Sequence, residues 1–265
     1  MSNLTILGSG TAISHSYSSS YLLQHRGHNY LIECGEGVRH RLAKINVDYF
    51  DIEAVFMTHF HPDHFNLETL IQSIMVRNYH EKKEKVLEIF GPPETGERLR
   101  NIWDNKHNVG HFEKTLPHFL KIIIHEYEDR KMIKYPPLER RALYVTPYFL
   151  AHGNMPAVAL RFDIDKNIFA YSGDTGVNDE IVEVSRGAET FLCECNQKPG
   201  AKNPGHLNPS EVGAIAEKSR VKKLVLTHMP GFNTEEELRS DVRKGGYDGE
   251  IKIPEDFDVL QLVNA

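Results

Sequence analysis

Short apolar runs enriched in β-branched and aromatic residues recur along the chain at 4–7, 20–24, 30–33, 54–58, 86–90, 121–125, 157–162, 168–172, 190–194 and 223–227. Most of them run out into Gly, Asp, His or Pro, so polar punctuation falls where a strand would end. Between them, residues 37–45, 67–76, 95–103, 179–185, 210–219 and 235–244 place apolar side chains three and four apart, the period of a helix with one buried face. The Asn208-Pro209-Ser210-Glu211 stretch reads as a helix start. Early strands follow one another as hairpins and later ones alternate with helices. This order predicts an α/β layered domain whose sheets are covered by helices. Because no Ser/Gly- or Pro-rich stretch and no internal repeat divides the chain, residues 1–265 are expected to form a single domain.

Composition alters this picture little. With 265 residues, 40% hydrophobic and 26% charged, the chain has material for a large core. Its formal net charge of −6, from 31 Lys+Arg and 37 Asp+Glu, argues against broad charge-driven binding to nucleic acid. No run approaches the roughly 18 apolar residues that a membrane-spanning helix needs. The opening MSNLTILGSG carries neither a basic n-region nor a cleavage site, so a cytoplasmic protein without membrane attachment is expected. Cys34, Cys193 and Cys195 are too few and too unevenly spaced for a disulfide framework, and read as buried small hydrophobes in a reducing compartment. The 15 histidines change the picture more, because several fall where predicted strands give way to loops.

The densest of these junctions is at 54–64, where an apolar run empties into His59, His61, Asp63 and His64. If strand geometry continues through His59 and His61, their period-2 spacing puts both imidazoles on one side, ready to chelate one ion. Pro62 then turns the chain, and Asp63 and His64 can face a second position nearby. Such a nitrogen and oxygen set suits Zn²⁺ and, less selectively, Mn²⁺ or Fe²⁺.

The string His59-Phe60-His61-Pro62-Asp63-His64 is the HxHxDH signature of the metallo-β-lactamase fold hydrolases, which this chain resembles along nearly its whole length. The opening Leu7-Gly8-Ser9-Gly10-Thr11, then Ser18-Ser19-Ser20-Tyr21-Leu22-Leu23 and Leu31-Ile32-Glu33-Cys34-Gly35-Glu36-Gly37, is similar to that of the tRNase Z (RNase Z) branch. Further on, in the family's order, come His152, Asp174 in Tyr171-Ser172-Gly173-Asp174-Thr175-Gly176, Glu194, His206 in a Gly-His pair, and His228.

The resemblance implies a four-layer αββα sandwich and two divalent metal ions, Zn²⁺ first with Mn²⁺ or Fe²⁺ also accepted. It assigns His59, His61 and His152 to one ion, Asp63, His64 and His228 to the other, and Asp174 as the bridge. A dinuclear site of this kind, about 3.5–4 Å across, supplies a bridging water as hydroxide and clamps the oxygens of a phosphodiester. Asp63 would then orient or deprotonate the water and His206 would deliver a proton to the leaving oxygen. Glu194, twenty residues after Asp174, would hold His206.

Some segments depart from the tRNA-processing members. Phe65-Asn66-Leu67-Glu68 replaces a Gly-Gly-Leu-like continuation, Met229-Pro230-Gly231-Phe232 lacks the Ser and Arg found there, and 90–152 contains no Gly- and Pro-rich basic arm. The expected activity is therefore a metal-dependent phosphodiesterase, with a small or cyclic phosphodiester favoured over RNA. Hydrolysis of carboxylic or sulfuric esters, lactones or thioesters is the alternative from the same centre. A catalytically silent, metal-stabilised binding protein is the non-enzymatic one. The family resemblance also admits a homodimer.

Three weaker features complete the reading. Gly8, Gly10 and Ser18–Ser20 offer backbone N–H groups and hydroxyls to a phosphate, or simply form a tight hairpin. The basic stretch from Arg77 to Lys85 either steers a polyanion or is a solvated face. Residues from His107 to His125 are expected to line the pocket.

Overall fold

The early hairpins form as the alternation predicts. In the computed structural model, which describes residues 2–103, 120–136 and 143–263, β1 (Ser2–Gly8), β2 (Ser20–His25) and β3 (His28–Ile32) are successive antiparallel neighbours. Helix α1 (Val38–Lys44) then leads to β4 (Ile52–Phe56), helix α2 (Leu67–Glu81), β5 (Lys85–Gly91), helix α3 (Thr95–Trp103) and β6 (Leu120–Glu126). From β3 to β6 the pairing is parallel.

A second sheet begins with β7 (Ile133–Tyr135), β8 (Leu143–His152), β9 (Met155–Ile164) and β10 (Asn167–Tyr171), each antiparallel to the one before. It continues in parallel through helix α4 (Asp179–Ser185), β11 (Thr190–Glu194), helix α5 (Pro209–Lys218), β12 (Lys223–Thr227), helix α6 (Glu235–Lys244) and β13 (Glu250–Lys252). The last strand, β14 (Val259–Val263), crosses back to pair antiparallel with β1. The sheet orders are β14-β1-β2-β3-β4-β5-β6 and β13-β12-β11-β10-β9-β8-β7.

Three apolar clusters define the layers. Leu4, Tyr21, Tyr30 and Phe56 from the first sheet meet Val158, Phe162, Phe169 and Leu192 from the second in the core between them. The outer face of the first sheet packs Leu22, Leu31 and Val55 against Leu42, Leu70 and Ile74 of its helices. That of the second packs Ala170, Phe191 and Leu224 against Ile181, Val212 and Val242. The result is the expected αββα sandwich, with helices buried along one stripe each. Helix α5 starts one residue earlier than its pattern suggests, because Pro209 occupies the first turn and Asn208 closes a capping box with Glu211.

Four strands escaped the pattern. β7 and β13 have only three residues, too few for alternation to register, and β14 is held mainly by pairing with the β1 edge. β8 carries Pro147, a residue that argues against a central strand. Here β7 covers only residues 143–145, and the Pro147 carbonyl beyond it accepts from the N–H of Arg130, so the proline ring sits where no ladder donor is required.

Candidate metal centre

The parallel strands of both sheets point their carboxyl ends to one rim, the position where open α/β sheets place ligands. β4 ends at Phe56, and the motif 59–64 follows as a loop rather than as continued strand, so the period-2 argument for His59 and His61 does not apply. The loop nevertheless brings them together, with His59 Nε2 3.0 Å from His61 Nδ1. His152 arrives at the end of β8, Asp174 in the loop after β10, Glu194 at the last residue of β11 and His228 just past β12.

All seven expected ligands converge. His59, His61, His152 and Asp174 can each present a ligand atom within 4.8 Å of the others, and so can Asp63, His64 and His228. Asp174 lies between the sets: its Oδ2 is 3.6 Å from His59 Nε2, while its Oδ1 is 3.4 Å from both His64 Nε2 and His228 Nδ1. His228 Nε2 in turn lies 3.3 Å from Asp63 Oδ2. The donor set fits a cation. With His64 Nδ1 turned to Glu33, His64 Nε2 and Asp174 Oδ1 are buried without a hydrogen-bond partner, an arrangement that costs free energy unless something else satisfies those lone pairs.

The surroundings fix which ring nitrogens face the centre. His152 Nδ1 donates to the Gly205 carbonyl at 3.1 Å, leaving Nε2 as the lone-pair atom. Thr58 Oγ1 donates to the buried carboxylate of Glu33 and accepts from His59 Nδ1 at 3.0 Å, which frees His59 Nε2 in the same way. Glu33 Oε1 also lies 3.2 Å from His64 Nδ1, and Asn196 Nδ2 lies 3.2 Å from His228 Nδ1. Asp63 Oδ2 accepts the backbone N–H of Ala12 at 3.1 Å.

Burial and charge set the protonation tendencies. Burial pushes His59 well below its ordinary value, and acts the same way on His61 and His152. Burial also works against a charged His64, but the carboxylates of Asp174 and Glu33 outweigh it and lift the group to about 9. Although desolvation would raise Asp63, the hydrogen bond with His228 and the neighbouring imidazoles hold it below the usual carboxylate range.

His206 and Glu194 form the expected pair. Glu194 Oε1 accepts from His206 Nδ1 at 3.0 Å and from the Thr175 N–H at 2.7 Å, while its Oε2 takes the N–H groups of Leu207 and Asn196. Burial raises the Glu194 carboxyl, and its hydrogen bond raises His206 against the opposing effect of desolvation. His206 reaches the second edge of the cluster, since it can join Asp174 and His228 around one point.

Glu33, Thr58, Asn196 and the Gly205 carbonyl received no role from the sequence. The one local signal of Glu33, a carboxylate at the end of an apolar strand, is shared by many surface residues. Other features resolve as structural. A Cβ on Gly8 would meet the Arg41 guanidinium and the Ser18 carbonyl, so the glycine makes room for a buried arginine. Arg41 donates to the carbonyls of Leu7, Ser18, Gly35 and Glu36 and to Ser20 Oγ. Ser19 and Ser20 are themselves buried, so their hydroxyls serve the hairpin rather than a ligand. Of the stretch from His107 to His125, residues 107–119 lie outside the described residues, and His125 pairs with Glu88 at 2.7 Å. The three cysteines are free and buried. Among the described residues no helix is long and apolar enough to cross a membrane.

Two cavities flank the cluster and share His61 and His206. One, about 390 Å³, is lined by Asp63, Asp174 and His228 together with Ile13, Lys198 and Phe232. The other, about 800 Å³, is lined by His152, Asn154, Arg98 and Asn203.

The fold is that of the metallo-β-lactamase-fold proteins, and ribonuclease Z of Thermoplasma acidophilum is similar to the chain at 25% identity over 257 residues. The family model for the anti-Pycsar protein Apyc1 matches residues 2–244, and the chain belongs to that family. The uncharacterized protein Rv1339 of Mycobacterium tuberculosis is 31% identical over 258 residues, covering 94% of this chain and 88% of that one. The crystal structure of the metallo-β-lactamase fold protein YhfI from Bacillus subtilis superposes with a TM-score of 0.82 at 23% identity, covering 98% of each chain. Human tRNase Z, short form, superposes with a TM-score of 0.74 at 23% identity, over 99% of this chain and 100% of that one.

Proposed function

We propose that residues 1–265 act as one domain, a dinuclear metal-dependent phosphodiesterase whose substrate is a small or cyclic phosphodiester rather than RNA. The observation that carries this reading is the convergence of seven candidate ligand side chains with a hydrogen-bonded His206–Glu194 pair, of which His61, Asp63, Asp174, His206 and His228 line a cavity of about 390 Å³. In it His59, His61 and His152 would hold one ion and Asp63, His64 and His228 the other, with Asp174 available to both sets. Zn²⁺ matches the nitrogen-rich set best, with Mn²⁺ or Fe²⁺ as alternatives. Two such ions supply a nucleophile at neutral pH and charge stabilisation on the phosphate oxygens.

The remaining work falls to the chain itself. Asp63, held by the Ala12 N–H, orients the attacking water and accepts its proton. His206 keeps Nδ1 on Glu194, which leaves Nε2 to hand a proton to the leaving oxygen. The Glu194 carboxylate, satisfied by three backbone N–H groups, fixes that ring rather than reacting. A cavity of this size has room for a single nucleotide-like molecule beside the cluster. The free, buried cysteines agree with a cytoplasmic setting.

Elemental analysis of untagged protein, paired with turnover of bis(p-nitrophenyl) phosphate before and after chelation, tests the reading. The expected result is about two metal equivalents and turnover abolished by chelator, the behaviour of a two-metal hydrolase. Turnover of carboxylic esters with silence on phosphodiesters would redirect the chemistry, and absence of metal after reconstitution would sink it.

A further inference from the structure

The smaller cavity has a wall that the proposed chemistry does not use. Ile13 is 70% exposed and Phe232 56% exposed, yet both line the space whose floor is Asp63, Asp174 and His228. A single exposed apolar residue on a surface needs no explanation. Here there are two, on loops tied together by a bridge between Gly10 and Met229 and by the Met229 N–H donating to the Ser9 carbonyl at 3.0 Å. Lys198 Nζ stands 5.0 Å from the centre of the Phe232 ring, a cation–π contact that restrains an aromatic side chain otherwise open to solvent. An aromatic ring held at the mouth of a site for a negatively charged diester, beside an exposed ammonium, is suited to a ligand that is both flat and anionic.

We propose that Phe232 is the platform on which an aromatic heterocycle of the substrate stacks, with Ile13 as the neighbouring apolar wall and Lys198 holding the ring. The proposal rests on the phosphodiesterase reading and gives the wall of its cavity a part in holding the substrate. Gln197 Nε2 donates to Asn196 Oδ1 at 3.1 Å and Asn196 Nδ2 lies 3.2 Å from His228 Nδ1, so these amide N–H groups already have partners, while the face of the Phe232 ring is open to a stacked heterocycle.

Two chromogenic diesters with the same leaving group separate this from its alternatives: thymidine 5′-(p-nitrophenyl phosphate) and methyl p-nitrophenyl phosphate. Phe232→Ala in the metal-loaded protein is expected to raise KM for the thymidine ester about tenfold, within the range for loss of one stacked ring, with kcat retained. KM for the methyl ester should not move, and Phe232→Tyr should restore the thymidine value. Calorimetric binding of thymidine 5′-monophosphate should weaken by a similar factor in Phe232→Ala and recover in Phe232→Tyr. Equal effects on both esters, or none on either, would overturn the platform while leaving the phosphodiesterase intact. If the wild-type protein hydrolysed neither ester, the phosphodiesterase reading would fail and the platform with it.

Discussion

The two sheets furnish the site in unlike ways. The first contributes one loop, in which His59, His61, Asp63 and His64 fall within a six-residue span shortly after the end of β4. The second contributes single residues from separate strand ends: His152 from β8, Asp174 after β10, Glu194 from β11 and His228 after β12. A loop that carries four of the candidate ligands holds them near one another through chain connectivity alone. Residues on four strands meet only because parallel register and the core between the sheets carry them to the same rim. The first half is thus a local cluster, and the second is a product of the whole fold.

The largest expected effect breaks the comparison at its hinge. Asp174 is the side chain that faces both sets, 3.6 Å from His59 and 3.4 Å from His64 and His228. On the dinuclear reading, Asp174→Ala removes the shared carboxylate and should empty both positions, with activity lost. His61→Ala should also abolish turnover, yet leave the Asp63, His64 and His228 set able to retain the second ion. Metal analysis of the two purified variants distinguishes them. Equal loss from both would mean that the two positions bind only as a unit, and full retention in Asp174→Ala would remove it from the ligand set.

A smaller effect belongs to His206, which comes from the second half but carries no ligand in this scheme. His206→Ala should keep metal and fold while turnover falls by roughly 10²–10⁴, the range for a general acid. The loss should shrink for a diester whose leaving group departs as a stable anion, because p-nitrophenolate needs no proton. A uniform loss across leaving groups would make His206 a positioning residue instead.

The same contrast explains what could be read without coordinates. The 59–64 motif is contiguous, so residue types and spacing expose its chemistry directly, even though it forms as a loop and not as the extended strand that the spacing suggests. His152, Asp174 and His228 are each ordinary in isolation, and only their order behind the motif marks them. Glu33 and Asn196 are invisible at this level because their roles follow from contacts: Glu33 reaches His59 through Thr58, and Asn196 touches His228 across 32 positions of sequence. The fold divides similarly. β11 and β12 and helices α3, α4 and α6 were legible to the residue because the apolar positions of each recur at the period of its own element. β8 was missed because Pro147 sits at an uncovered edge, a fact of topology and not of local pattern.

The smallest expected effect concerns the basic stretch after the motif, the one part of the first half that looked built for a polyanion. Arg77 Nη1 lies 2.6 Å from Asp48 Oδ2 and its Nε 2.8 Å from Glu81 Oε1, and Lys83 Nζ lies 2.7 Å from Glu81 Oε2. These cations already have partners, and none of them lines either cavity beside the cluster. Partly exposed pairs of this kind contribute at most about 1 kcal/mol, so Arg77→Ala should shift the thermal midpoint by no more than about 2–4 °C. Turnover of bis(p-nitrophenyl) phosphate should be unchanged, and so should the salt dependence of any cleavage of an RNA oligonucleotide, since a charge already neutralised within the protein releases few counterions on binding. A selective loss on RNA with a shallower salt slope would instead make this face a polymer-binding surface. The first sheet would then contribute substrate recognition as well as its chelating loop, and the small-substrate reading of the cavity would have to yield.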